Sequence, residues 1–551
     1  MVNKEDIIKD LLLRRGYVTA ENIASAEDFA VKKNSTVIRY LIDQEILTKD
    51  IIGQAVAEEF QVPYADLNSN QPPKAQVLLM PQDFARRHMA LVFQYDDKEI
   101  VVATDAPHQP NLLAELDALL NRSEAKRAIK LAYSLQEDLE AAFVHYRESL
   151  SVRFIDIIKD QKRVAPEIIE EIFEDAILYR VSDVHFEPQD AEVLVRFRID
   201  GVLREVGRIP REYYENILNR VKVQARLRID DHFSAQDGAL RYEKNGASVD
   251  ARVSIMPTLE GEKIAIRLLS EYVRNLSLKD LGLTEDNQKI LSSAAEKPFG
   301  MILVTGPTGS GKTTTLYALL KILNDPEVNI TTIEDPVEYR IKGLNQIQVN
   351  ADTNLTFADG LRSIVRQDPD IILVGEIRDN ATAEISVNAA LTGHLLFSTF
   401  HANDAPTSIP RLLDMDVEPF LLASTLKVII AQRLVRRICE SCRYSVSVTP
   451  AELKPIGRAA EYLAGQTNLY RGKGCNVCGF TGYKGRIGIF EFIDVTPEMQ
   501  NLILKNPSTS EIWALARSQG ARSLFEDGIF KVIAGVTTID ELMRVAEPPK
   551  N

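Results

Sequence analysis

Three features predict an α/β fold whose C-terminal half is a parallel sheet wrapped by helices. From about residue 285, short apolar runs alternate with helical stretches. That alternation builds a parallel sheet with helices on both faces and ligands at the strand C-termini. Within it, Gly306-Pro307-Thr308-Gly309-Ser310-Gly311-Lys312-Thr313 fits the pattern G-x-x-x-x-G-K-[ST]. Upstream, residues 182–269 carry several period-two runs, which predict a separate α+β domain.

The glycine-rich stretch has the flanks that phosphate binding requires. Met301-Ile302-Leu303-Val304-Thr305 reads as a buried strand, and Thr314-Thr315-Leu316-Tyr317-Ala318-Leu319-Leu320 as the first turns of a helix. Glycines let backbone N–H groups converge on phosphate oxygens, and the helix dipole favours their charge. Gly306 to Thr314 therefore form a candidate cradle for a nucleoside triphosphate. Lys312 is expected to reach the β/γ-phosphates, and the Thr313 hydroxyl to ligate Mg²⁺.

At 551 residues, the chain is too long for one core and suggests about three or four domains. The net charge of −14 argues against a general nucleic-acid binder. No run reaches the roughly 18 apolar residues of a spanning helix, and Met1 to Asp6 lack a signal-peptide pattern. The protein is expected to stay in the cytoplasm and to meet a membrane only through partners.

Residues 1–145 read as a docking domain without catalytic chemistry. Leu13–Ile23 resembles Ile42–Ile52, with Thr19 and Thr48 each set to cap a following helix. Leu91–Tyr95 and Glu99–Thr104 read as strands joined by the turn Asp96-Asp97-Lys98. A charged linker is expected over 146–165, then an α+β domain over 166–284. That domain opens on a helix with Ile168, Ile169, Ile172, Phe173 and Ala176 on one face. Strands follow at 193–199, 202–206, 249–255 and 263–269, with Asp200-Gly201 as a hairpin signal. Arg196, Arg198, Arg252 and Arg267 fall on these strands. Beside a nucleotide-hydrolysing domain, such arginines are candidates to be supplied to a phosphate, because the planar fork binds it bidentately.

The catalytic domain is expected over 285–551, with strands at 301–305, 329–333, 371–374 and 395–399. Glu334-Asp335-Pro336-Val337-Glu338 follows the second strand, Gly375-Glu376 the third, and His401 the fourth, with His394 just before its start. The three groups at the strand C-terminal ends, Glu334–Glu338, Glu376 and His401, are expected to face the phosphates across one crevice, where a carboxylate can activate water and another can hold Mg²⁺. The four cysteines, Cys439, Cys442, Cys475 and Cys478, form two C-x-x-C knuckles. Four thiolates from two tight turns predict a structural zinc site within a small subdomain, 436–488; a redox pair is the alternative. The last 60 or so residues read as helices.

In this order, Gly306–Thr313, Glu334-Asp335-Pro336-Val337-Glu338, Ile371–Asp379 and Gly393–His401 resemble the Walker A, Asp box, Walker B and His box of the secretion ATPases of type II secretion and type IV pilus systems. The likeness runs from about Ser182 past the cysteines, and residues 1–145 resemble the family's N1 domain. It implies a cytoplasmic homohexamer at the inner face of the membrane, each subunit joining a mobile N2 domain to a RecA-like ATPase domain that uses ATP, Mg²⁺ and structural Zn²⁺. It also implies roles. Glu338 would polarise water, Glu376 would act on Mg²⁺, and His394 and His401 would sense the γ-phosphate or touch the neighbouring subunit. Arg252 and Arg267 would reach the nucleotide, with Arg362 and Arg366 as further candidates. The implied partners are an inner-membrane platform protein and associated assembly proteins.

Retraction ATPases of that family lack the long N-terminal region and the tetracysteine insertion, so the resemblance points to pilus extension. Phe400–Pro406 leans the same way, with a type II secretion ATPase as the alternative. The family's cyclic-di-GMP module carries Arg-Leu-Gly; here the second copy reads Thr36-Val37-Ile38 and the first has no such triplet, which argues against cyclic-di-GMP binding. A nucleic-acid-translocating RecA-like motor is the alternative from another class, and the acidic balance disfavours it.

Overall fold

The computed structural model describes residues 9, 11–33, 37, 40–41, 46–47, 49–67, 70, 72–121, 127–160, 164–244, 247–269, 276–350, 353–447, 454–463, 465–466, 468–475, 478–479 and 481–549. They form two units: Met1–Ser149 with Cys439–Cys442 and Lys473–Gly482, and Leu150–Ile438 with Arg443–Gly472 and Tyr483–Asn551.

In the first unit, helices α1 (Ala20–Lys33) and α2 (Lys49–Glu59) flank a small core containing Leu12, Ile23 and Ile52. Thr19 caps α1 as expected: its Oγ1 accepts from Asn22 N at 3.1 Å, and Asn22 Oδ1 accepts from Thr19 N at 3.0 Å. Thr48, Thr36 and Ile38 lie outside the described residues. Strands β1 (Ala90–Tyr95) and β2 (Glu99–Thr104) form the expected hairpin, and β3 (Ala128–Tyr133) adds in parallel to β2. Asp96 Oδ1 accepts from both Lys98 N and Glu99 N at 2.8 Å, which closes the turn.

The second unit opens on two helices, α3 (Leu150–Asp160) and α4 (Val164–Leu178). The span read as a linker thus carries helix. Leu150, Phe154, Ile157 and Ile158 recur at helical spacing and join the core of Ile168, Ile169, Ile172, Phe173 and Ala176. That core is closed by one face of an antiparallel sheet of six strands: β4 (Asp183–Pro188), β5 (Glu192–Ile199), β6 (Val202–Pro210), β7 (Gln236–Lys244), β8 (Ala247–Thr258) and β9 (Gly261–Leu269), in the order β6-β5-β4-β9-β8-β7. Val184, Phe186, Val195, Phe197, Val253 and Ile266 point to the helices. The alternate residues, including Arg196, Arg198, Arg252 and Arg267, fall on the other face because the side-chain period is two. Arg252 and Arg267 are direct cross-strand partners.

The larger sheet has seven strands: β10 (Gly300–Thr305), β11 (Ile330–Glu334), β12 (Asn345–Gln348), β13 (Ile371–Val374), β14 (Leu395–Phe400), β15 (Leu426–Ile438) and, after the ribbon β16 (Arg443–Ser447) and β17 (Asn468–Gly472), β18 (Tyr483–Asp494). Its order is β12-β11-β13-β14-β10-β15-β18, parallel except for the last pair. Met301 and Leu303 enter one core, and Ile302 and Val304 the other. A sheet buried on both faces loses the polar alternation and reads as a continuous apolar run. The expected α/β class and all four expected parallel strands are present, and the tail folds as helices, the last two being α5 (Leu524–Ile533) and α6 (Ile539–Val545).

Candidate nucleotide site

Strand β10 delivers its last residue, Thr305, to the C-terminal edge of the sheet, where Gly306 to Gly311 turn into a helix over Lys312–Leu323. The glycines are required here. Gly306, Gly309 and Gly311 have φ of 145°, 78° and 86°, and a Cβ on Gly306 would lie 2.4 Å from the Gln432 carbonyl oxygen. Lys312 is buried, and its Nζ donates to Gly306 O at 2.8 Å and Pro307 O at 3.2 Å. Burial lowers its pKa, and the Glu376 charge opposes that shift. Ser310 Oγ is buried with no hydrogen-bond partner among the described residues. A loop that presents the N-terminus of a helix, a buried ammonium and an unpaired buried hydroxyl fits a polyphosphate.

The loop rests on Gln432 of β15, which sequence reading missed. Gln432 is 1% exposed, its Oε1 accepts from Thr315 Oγ1 at 2.7 Å, and its Nε2 lies 2.9 Å from where a Cβ on Gly311 would stand. No motif marks it; only the pairing of β10 with β15 brings it beneath the loop.

The carboxylates after β11 and β13 separate into distinct environments. Glu334 is buried and accepts from Tyr317 Oη and, at 2.6 Å, from Thr332 Oγ1. Burial raises its pKa although these donors oppose the shift. Glu338, four residues on, stands in the partly exposed loop. Glu376 lies at the end of β13 with Oε1 2.5 Å from Arg378 Nη2 and Oε2 3.2 Å from His401 Nε2.

Arg252, on β8 of the six-stranded domain, meets the loop after β11. Its Nη1 is 3.3 Å from Glu338 Oε2, and its Nη2 donates to Val337 O at 2.5 Å. Arg267 turns elsewhere, with its Nε 3.0 Å from Asp183 Oδ1. Arg362 pairs with Asp359 at 2.9 Å, and Arg366 donates to Ser363 Oγ at 3.3 Å, both within their own helical turn.

The two histidines do not share one crevice. His401 follows the C-terminal end of β14, the end at which Phe400 pairs with Thr305, and its Nε2 faces Glu376. His394 precedes β14, where its carbonyl accepts from Gly300 N at 3.1 Å and its Nδ1 is 2.8 Å from Ala389 O. Gly300 starts the strand that Thr305 ends, so about 20 Å of extended chain separates the two positions.

The four cysteine sulfurs lie within 4.8 Å of one another. Three of their separations, Cys439–Cys475, Cys442–Cys478 and Cys475–Cys478, are 3.8, 3.9 and 3.8 Å. A tetrahedron with metal–sulfur bonds of about 2.3 Å has edges of about 3.8 Å, so the cluster fits a tetrathiolate metal site. Burial would raise the Cys478 thiol, but the Cys475 and Gly482 N–H groups hold it down at about 7.

Residues 158–544 match the type II/IV secretion system protein family, and residues 60–151 match the MshEN domain. The chain is 37% identical over 519 residues to the type IV pilus assembly ATPase PilB of Thermus thermophilus, covering 91% of this chain but 58% of that relative. It is 41% identical over 493 residues to the type II secretion system protein E of Pseudomonas aeruginosa, covering 86% of this chain and 97% of the relative. The X-ray structure of the Legionella pneumophila ATPase DotB aligns at a TM-score of 0.52 with 18% identity, covering 69% of this chain and 95% of that one, a likeness of fold.

Proposed function

The chain belongs to the type II/IV secretion system protein family, and we propose that it converts ATP hydrolysis into domain motion that assembles pilin subunits and extends a type IV pilus. Membership makes it an ATP hydrolase. The observation that carries the mechanical reading is the reach of Arg252 from the six-stranded domain to Glu338 in the ATPase domain, at 3.3 Å.

In the proposed cycle, the loop Gly306–Thr314 holds the phosphates, and Lys312 leaves its own loop carbonyls to neutralise the β/γ oxygens. Glu376 and the Thr313 hydroxyl hold Mg²⁺. Glu338 orients and deprotonates the attacking water, and Arg252 meets the charge that develops on the transferring group. His401, bonded to Glu376, reports on the γ-phosphate side of the site. His394 is assigned to a surface that acts between subunits of a homohexamer. Domains are assigned as 1–145, 166–284 and 285–551, with the helix Leu150–Asp160 packed into the core of the second. The partners are an inner-membrane platform protein and its assembly machinery, met at the cytoplasmic face. No helix among the described residues is long and apolar enough to cross a membrane.

Deleting the gene should abolish surface pili while leaving protein secretion to the medium intact, and a Lys312→Ala copy should fail to restore them. Persistent pili with lost secretion would support the type II secretion reading, which the Pseudomonas relative favours. ATPase stimulation by DNA would support a nucleic-acid motor.

The thiolate cluster is assigned to a structural zinc ion, because four sulfurs leave no open coordination position. Purified protein should contain about one zinc per chain. Cys475→Ser should lose it and destabilise the fold by several kcal/mol, read by elemental analysis and thermal melting. Full zinc content in the variant would refute the assignment.

A further inference from the structure

The loop His401-Ala402-Asn403-Asp404-Ala405 leaves β14 and is tied successively to β10, β15 and β18, the next three strands of the sheet. Thr305, ending β10, bonds Ala402 in both directions: its Oγ1 donates to Ala402 O at 3.0 Å and accepts from Ala402 N at 2.8 Å. Arg433 of β15 donates from Nη2 to Asn403 O at 3.4 Å. Glu491 of β18 accepts from Ala405 N at 2.8 Å. Arg411 adds a bond to His401 O.

Two of these ties continue to the C-terminal helices. Arg433 Nη1 donates to Val545 O, the end of α6, at 2.7 Å. The backbone N–H of Leu524, the first residue of α5, also lies against Glu491 and holds its carboxyl down, and the adjacent Phe490 N donates to Asp527 Oδ2 of α5 at 2.9 Å. Glu491 is 5% exposed, and burial pushes its carboxyl up to about 7; Asp404 and Glu526 add to that rise while the two N–H donors oppose it. Placing so poorly solvated a carboxylate between two backbone donors is costly unless their positions matter. A leucine at the same strand position would satisfy the apolar core around Ile489 and Ile493.

Resting on the reading of this site as an ATPase, we propose that Arg433 and Glu491 are positioning residues for His401. They lock its loop across the sheet edge and couple its placement to the C-terminal helices α5 and α6. His401 then stays 3.2 Å from Glu376, and a displacement of either helix is transmitted to the γ-phosphate side of the site. Neither residue touches the reacting atoms; both act through the loop.

The test uses the full-length chain. Glu491→Gln keeps one acceptor for Ala405 but turns an amide N–H₂ toward the Leu524 N–H. It should lower kcat on the order of ten- to a hundredfold, with the Kd of a fluorescent ATP analogue unchanged. Arg433→Met should do the same. In a His401→Ala background, neither change should lower kcat further, because residues acting through one side chain are not additive. Equal fold-losses with and without His401 would overturn the proposal, as would an unchanged kcat in a variant whose melting temperature falls. If Glu491→Gln does not fold, Arg433→Met decides by the same comparison. A wild-type chain that binds the analogue but never hydrolyses ATP would instead sink the ATPase reading, since no variant is involved.

Discussion

Glu338→Gln is expected to bind ATP as wild type does and to hydrolyse it roughly 10²–10⁴-fold more slowly. The substitution keeps shape and one acceptor oxygen but removes the capacity to take a proton. Glu338 suits the role by its surroundings. It stands in the loop beyond β11 at 37% side-chain exposure, where water reaches it, with the Arg252 guanidinium 3.3 Å away. Glu334 is the weaker candidate although it is nearer the strand. Both its oxygens already accept, from Tyr317 and Thr332, and it sits in the core. Burial raises its pKa while the Thr332 and Tyr317 donors oppose the rise, and with both oxygens taken neither is open to an attacking water. Single-turnover hydrolysis alongside equilibrium ATP binding separates the steps. Turnover at the wild-type rate would move the base elsewhere, with Glu376 the next carboxylate at a strand end.

What could be read from the residues alone followed from local rules. The phosphate loop, its flanking strand and the Thr19 cap each depend on neighbours in sequence, and each appears where its pattern lies. The charged span 146–165 misled because Arg153, Asp156 and Lys159 outweigh its apolar spacing by composition. In the structure, Arg153 faces Glu171 and Asp175 of α4 while Leu150 and Phe154 enter the core. Gln432, Arg433 and Glu491 were illegible for another reason. Their positions follow from the sheet order β14-β10-β15-β18, in which β18 lies beside β15 and two strands from the phosphate-loop strand β10. No local periodicity encodes that order. His394 and His401, by contrast, were legible from local rules: the apolar run between them is a strand, and it carries them to opposite ends of the sheet as their order implies.

Arg252→Ala is expected to lower hydrolysis by about 10³–10⁵-fold, the range of an arginine that neutralises transferring phosphate. Arg267→Ala should cost much less. The two are cross-strand neighbours on one face, so their chemistry alone does not separate them; their contacts do. Arg267 is 59% exposed and held by Asp183 of its own sheet, whereas Arg252 is 25% exposed and engages both a carboxylate and a carbonyl of the ATPase domain. Arg252→Lys should fail nearly as badly as Arg252→Ala, because an ammonium lacks the planar fork that holds two acceptors at once. Steady-state rates at saturating ATP read the comparison, and a lysine variant near wild type would reduce Arg252 to a simple counter-charge. The ion pair with Glu338 also assigns a sequence of events. While the guanidinium holds Glu338, it offsets the charge of the base that must accept a proton, so the pair opposes hydrolysis. ATP supplies a stronger anion, and transfer of Arg252 from Glu338 to phosphate would free the base and stabilise the developing charge in one movement. Because the arginine belongs to the six-stranded domain and the glutamate to the ATPase domain, that exchange couples a shift between domains to bond cleavage.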